Sequence, residues 1–300
     1  MIIAVAINPR ASFGGAQHTG AVVVDFFRAA GASVIVLRRD SYDGLAESVG
    51  EALAAGCDAL VVVGGDGMVH LGINALAGPG APYGRIPLGI VPCGTGNDMA
   101  RALGLPLKDA RAACERILVA LKAGGRLIDA GRIAGNGTTR WFAGVVSAGF
   151  DAAVNERANA WRWPRGKGRY NLAMLRELAT FKAIDYTVTA DGDTWRQGAM
   201  LISVANGQSI GGGMKVTPDA LLDDGFLDLF IVEPLSRVQF LAVFPKVFSG
   251  RHTGHRAVHV RQVRRVDIAA ANVVAYADGE RVGPLPLTVE VVPGAIRVLA

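Results

Sequence analysis

Apolar residues dominate continuous runs in the first part of the chain, at 2–7, 33–37, 59–63 and 86–91. Runs without alternation predict strands covered on both faces, as in a parallel sheet. Helical spacing fills the stretches between them. One such segment follows the turn at 8–15 and reaches about Ala30, a second spans 45–54 and stops at Gly56, and a third spans 108–122 and stops at Gly124-Gly125. Further helix-like segments begin near Met68 and Asn97, each directly after a glycine-rich turn. Strand and helix in alternation predict an α/β domain with its ligands at the carboxyl ends of the strands, where the glycine turns fall.

Beyond Asp129 the pattern shortens. β-prone runs at 141–150, 185–190, 199–205, 226–232, 265–270, 273–277 and 287–291, separated by turn residues, predict a sandwich-like β domain. Only 157–182 and 236–248 read as helical there, and Pro245 should kink or end the second. The expected division is an α/β domain over 1–131 and a β-rich domain over 132–292.

With 51% of its 300 residues apolar, the chain can bury two modest cores. A formal charge of +5 suits a nucleotide, an anionic membrane or nucleic acid, and charge alone does not choose among them. No RNP-like or helix-turn-helix pattern appears, so a nucleic-acid module is not expected. Cys57, Cys93 and Cys114 are odd in number and lack CxxC spacing, which suggests neither a disulfide framework nor a zinc site. The N-terminus reads as a strand rather than a signal segment. The uncharged windows near 67–84 and 197–214 are broken by glycine and polar residues, so no membrane span is expected. A cytoplasmic protein is the expectation.

The chemistry concentrates in 59–101, where two strands each end in a glycine turn that opens a helix. Helix-start N–H groups attract anions and glycine lets a phosphate approach, so this is a phosphate-binding layout. Asp66, inside the first turn, would repel phosphate unless a cation lies between them or the carboxylate takes a proton from an attacking hydroxyl. It could also simply accept amides of its own turn, and Asn97 and Asp98 could be an ordinary N-cap and first-turn acid. No GxxxxGK[ST] motif occurs, and the run from Gly94 to Met99 lacks the third glycine of a dinucleotide fingerprint.

Val63-Gly64-Gly65-Asp66-Gly67 followed by Pro92-Cys93-Gly94-Thr95-Gly96-Asn97-Asp98-Met99-Ala100-Arg101 resembles the diacylglycerol kinase catalytic-domain family, most closely its soluble bacterial lipid kinases. NAD kinases and phosphofructokinases share the first piece; the second narrows the resemblance to lipid kinases. The resemblance implies an ATP- and Mg2+-dependent kinase that phosphorylates the hydroxyl of a diacylglycerol-like lipid, giving phosphatidic acid. It implies that Asn8, Ser12, Gly64, Gly65, Gly67, Gly94, Thr95, Gly96 and Asn97 cradle the nucleotide, while Asp66, Asp98 and Asp129 hold its magnesium, partly through water. In the loop 218–228 it implies a structural magnesium on Asp224 and the carbonyls of Leu221 and Phe226. In the run 276–280 it implies a general base, assigned to Asp278 with Glu280 assisting and Asp66 as competitor. It also implies that the last strand, within 293–300, returns to the first domain. Together these turns are expected to serve one crevice.

Met68 stands where the family commonly has threonine, so no role of that hydroxyl carries over. The stretch 161–170 interleaves aromatics with cations and suits transient contact with the inner membrane face. His252, His255 and His259 do not have the spacing of a tetrahedral metal set. A sphingoid-base or NAD kinase on the same fold, a non-catalytic nucleotide- or lipid-binding regulator, and a homodimer all stay open.

Overall fold

The computed structural model describes residues 1–8, 15–78, 85–161, 172–173, 176–177 and 180–300. Ser12 and all of the 161–170 stretch except Trp161 lie outside the described residues. The chain forms two compact units, Met1–Ala130 with Val292–Ala300, and Gly131–Val291. Among the described residues no helix is long and apolar enough to cross a membrane.

In the first unit, strands β1 (Ile2–Ile7), β2 (Ser33–Arg38), β3 (Ala59–Gly64) and β4 (Leu88–Pro92) form a parallel sheet in the order β2-β1-β3-β4. Val298, at the end of the last strand, pairs with Leu88 in parallel and extends it. Between the strands lie helices α1 (Gly15–Ala29), α2 (Tyr42–Ala55), α3 (Asp66–Ala77), α4 (Asp98–Ala102) and α5 (Ala110–Ala123). Strand alternation sends Ile3, Val5, Ile7, Val61 and Val63 to one face, where they pack with Val23, Phe27 and Ile117. On the other face Gly72 of α3 lies close to Val62 and Leu88. Both faces are therefore covered, as the continuous runs require.

Register sets the functional edge of this sheet. Ile7 is level with Val63, and Gly64 is level with Pro92. Asn8 and the two glycine turns thus leave three adjacent strands at the same height.

The second unit is built from antiparallel strands. The chain enters through β5 (Arg126–Gly135), hairpinned with β6 (Thr138–Phe142), and continues into β7 (Val145–Gly149) and α6 (Phe150–Ala160). Then come β8 (Ile184–Ala190), β9 (Asp193–Ala199), β10 (Leu201–Ala205), β11 (Leu227–Val232), α7 (Arg237–Val243), β12 (Val258–Val263), β13 (Arg265–Ala269), β14 (Val274–Ala277), β15 (Glu280–Pro284) and β16 (Leu287–Val298). One sheet runs β12-β11-β10-β7-β14-β15. Its inner face, with Val146, Ile202, Val204 and Leu229, packs on Tyr186, Val188, Val266 and Val289 of the layer formed by β8, β13 and β16.

Three expectations are corrected. The run 141–150 is not one strand: β6 ends at Phe142, the chain bends at Ala143-Gly144, and Phe150 already begins α6. The helix expected from 157 therefore starts at Phe150. The run at 287–291 and the last strand expected within 293–300 are parts of one strand, Leu287–Val298, carried past Gly294 at φ 60°. Pro245 does act as expected: α7 ends at Val243 and a 3-10 turn, Phe244–Ser249, takes over.

Candidate active site

The two glycine turns of the first unit touch. A Cβ on Gly65 would lie 3.0 Å from Gly94 Cα, and a Cβ on Gly94 would collide with the Gly65 backbone, so no other residue fits at the contact. Asn97 sits at φ 56°, ψ 41°, which asparagine tolerates, and its side chain closes the second turn on itself. Gly94 N–H donates to Asn97 Oδ1 at 2.9 Å, and Asn97 Nδ2 donates to the Gly94 carbonyl at 2.9 Å. Asn97 therefore does not cap α4 with its side chain.

Asp66 does that from 32 residues away. Its Oδ1 accepts from the N–H of Asp98 at 2.7 Å and of Met99 at 3.3 Å, pinning the first turn to the second. Arg101 adds a clasp that the sequence reading left without a role. Its Nη1 donates to Asp98 Oδ1 at 2.7 Å and its Nη2 to the Gly96 carbonyl at 2.9 Å. The half-buried Asp66, the buried Asp98 and the Arg101 guanidinium thus meet at two helix starts, beside a contact that only glycine can line.

Asp129 goes elsewhere. It is buried, and its Oδ1 accepts from Gly294 N–H at 2.8 Å, fixing the last strand. Asp66, Asp98 and Asp129 do not form a three-carboxylate cluster: among the described residues no three His, Cys, Asp or Glu side chains are arranged to hold a metal. Gly294, at φ 60° in that strand, presents an N–H for which Asp129 is the acceptor.

In the second unit, Asp278 and Gly279 make a two-residue hairpin turn with φ 51° and 88°. The Asp278 carboxylate is committed to backbone. Oδ1 accepts from Gly144 and Val145 N–H, each at 3.0 Å, and Oδ2 from Ala143 N–H at 3.3 Å. Gly144 has no Cβ because Asp278 occupies that space. Glu280, two residues on, is exposed, and its side chain makes no hydrogen bond or ion pair among the described residues. Behind the hairpin, Glu156 of α6 accepts from the Tyr276 hydroxyl at 2.6 Å and Arg281 Nε at 2.8 Å. These bonds, Tyr276 first, hold Glu156 below the usual carboxylate range.

In the loop 218–228, Asp224 Oδ1 accepts from Phe226 N–H at 3.0 Å and Oδ2 from Gln262 Nε2 at 3.0 Å. Burial, then the charges of Asp224 and Asp219, push Asp228 up to about 6. The Asp224 carboxylate and the backbone carbonyls of this loop are oxygen donors, the type a hard cation takes.

The sequence reading missed a cavity. The outer faces of β10 and β11, with Leu201, Phe230 and Val232, are roofed by Phe240, Val243 and Phe244, enclosing an apolar cavity of about 110 Å³. Asp151, Ser203 and His252 are its polar points. Ser203 pairs across the strands with Ser147, and Ser147 with Tyr276, so a polar row leads from the cavity along the sheet to the hairpin strand. Asp151 Oδ1 is buried with no hydrogen-bond partner among the described residues. Burial raises the Asp151 carboxyl, only partly offset by Ser147 and the backbone N–H of Ala152. One signal was available in advance: apart from Ser203 and Asp228, β10 and β11 are apolar at both alternating positions, so their outer faces had to be covered.

Residues 3–133 match the diacylglycerol kinase catalytic domain, and residues 144–300 match the YegS C-terminal NAD kinase beta sandwich-like domain. A diacylglycerol kinase of Mycobacterium tuberculosis is 36% identical over 97% of this chain and 93% of its own length. One from Bacillus subtilis is 28% identical over 76% of this chain and 73% of its own. In three dimensions, the crystal structure of a diacylglycerol kinase from Bacillus anthracis superposes with a TM-score of 0.72 over 99% of this chain and 96% of that one, at 21% identity. At that identity the likeness concerns the fold.

Proposed function

Because the chain belongs to the diacylglycerol kinase family of lipid kinases, we propose that it moves the γ-phosphoryl group of ATP to the free hydroxyl of a diacylglycerol, releasing ADP and phosphatidic acid. The observation that carries this reading is the Gly65–Gly94 contact, where two helix-opening turns meet closely and neither has room for a Cβ. Asn8 and the two glycine turns, through Thr95, Gly96 and Asn97, would hold the nucleotide. Asp66 and Asp98 would hold its magnesium, which when bound neutralises charge on the transferring group. Asp224 and the carbonyls of Leu221 and Phe226 would hold a second, structural ion. Few protein carboxylates at each ion agree with magnesium's preference for water and phosphate oxygens.

The acceptor's acyl chain would enter the apolar cavity. Asp151, kept toward its neutral form by burial, can then hydrogen-bond a hydroxyl or ester rather than hold a cation. For the proton of the attacking hydroxyl, the geometry favours Glu280 over Asp278. Three backbone N–H groups already draw on the Asp278 oxygens, whereas Glu280 is exposed at the adjacent strand start. In a loose phosphoryl transfer the base acts late, so positioning carries much of the rate. The enzyme would work at the inner face of the membrane, where such lipids reside.

Labelled ATP with magnesium, offered with diacylglycerol, monoacylglycerol, ceramide, sphingosine and NAD, tests the assignment. Label is expected chiefly in phosphatidic acid; label only in NAD or only in sphingosine would overturn it.

A further inference from the structure

We propose that the outer face of the segment from Arg237 to Arg256 docks on an anionic lipid surface, over the cavity that takes the acyl chain; the inference rests on the acceptor reading above. Helix α7 runs directly into the 3-10 turn Phe244–Ser249, and the two make one continuous element with large apolar residues on both its inner and its outer side. Phe240, Val243, Phe244 and Val247 face inward and line the cavity. Val238, Leu241 and Phe248 face outward and are 79%, 52% and 53% exposed. Arg237, Gln239, Lys246 and Ser249 share this exposed side, and the three large apolar residues stand among them without cover.

The charge pattern selects the partner. Between Glu233 and Asp267 the sequence contains no acid, while Lys246, Arg251 and Arg256 join Arg237 on the segment itself. Lys246, Arg251 and Arg256 are exposed and pair with no acid among the described residues. A second copy of the same face would bring the same cations against them, which disfavours self-association. Nucleic acid would use the cations and leave the apolar residues in water. An anionic leaflet uses both: phosphates meet the cations and acyl chains receive Val238, Leu241 and Phe248.

The position adds a reason. Phe150, Phe240, Phe244 and Phe248 form a column with successive ring centroids 5.0, 5.5 and 6.2 Å apart. Three of its rings line the cavity and the last is exposed. A lipid leaving the leaflet at Phe248 would meet apolar surface all the way to the cavity wall.

The test uses the full chain, with the double variants Val238→Glu/Leu241→Glu and Lys246→Glu/Arg251→Glu, whose altered side chains are exposed and outside the cavity. Sedimentation with phosphatidylglycerol–phosphatidylcholine vesicles should show wild-type binding. Each double variant should bind on the order of 30-fold more weakly. Phosphorylation of diacylglycerol embedded in those vesicles should fall in parallel, while that of detergent-dispersed dioctanoylglycerol stays near wild type. Variants that sediment like wild type would overturn the docking surface, as would a wild-type protein that ignores anionic vesicles. Loss of a concentration-dependent dimer in the variants, with unchanged sedimentation, would assign the face to self-association instead. If the wild type phosphorylates neither form of diacylglycerol, the substrate reading fails, and sedimentation still decides the surface separately.

Discussion

Two turns place an aspartate beside glycine, one in each unit, and their carboxylates are used differently. Asp66 turns one oxygen to the first N–H groups of a five-residue helix, next to the glycine contact where phosphates would lie. Asp278 spends both oxygens on three consecutive backbone amides and holds a bend of the neighbouring strand. The surrounding donors separate the two. An acid at a helix start shares a positive field with a ligand, whereas one filling a backbone nest has become part of the scaffold.

The largest effect should come from breaking the first region at its glycine. Gly94→Ala forces the two turns apart, and a shift of about 1 Å at a transfer site costs about 100-fold in rate. Steady-state phosphorylation of diacylglycerol should fall at least that far, and nucleotide affinity should fall with it. Asp66→Ala should follow closely, losing both the proposed magnesium ligand and the link between the turns. Calorimetry should add a stability loss of about 1 kcal/mol from the missing cap.

Asp278→Ala attacks the other region. Leaving three amides without their acceptor should cost about 3 kcal/mol or more, read by urea unfolding. Asp151→Asn sharpens the contrast between buried acids. Because the folded state raises the Asp151 pKa above 3.8, its protonated form contributes stability that is complete at low pH and is lost as pH rises past the unfolded value. The Tm of the wild type should therefore decline relative to Asp151→Asn as pH rises from about 4 to neutrality. The smallest effect concerns the loop 218–228: magnesium should raise the Tm by a few degrees, and Asp224→Asn should remove that rise.

The first unit was the more legible in sequence. Unbroken runs such as 59–63 became buried strands, because a strand covered on both faces needs no polar alternation. Asp109 and Gly124 bound α5 much as local chemistry requires. In the second unit β9, β12 and β15 escaped notice, since Asp193–Ala199, Val258–Val263 and Glu280–Pro284 are short and carry many polar residues. Their strand character comes from paired neighbours rather than from their own propensity. The site was legible as residues and not as partnerships. Nothing local says that Asp66 caps a helix beginning at Asp98, that Asp129 holds Gly294, or that Asp278 fills the bend at Gly144. Those bonds span 32, 165 and 134 residues.

The contrast between reagent and scaffold rests most directly on one paired measurement, kcat and Tm for Glu280→Gln and Asp278→Asn side by side. Glu280→Gln should keep the wild-type Tm and lose about 100-fold or more in kcat, as removal of a general base does. Asp278→Asn should lower the Tm, because its amide group turns a donor toward backbone N–H. An Asp278→Asn enzyme with an unchanged Tm and abolished kcat, beside a fully active Glu280→Gln enzyme, would contradict the account.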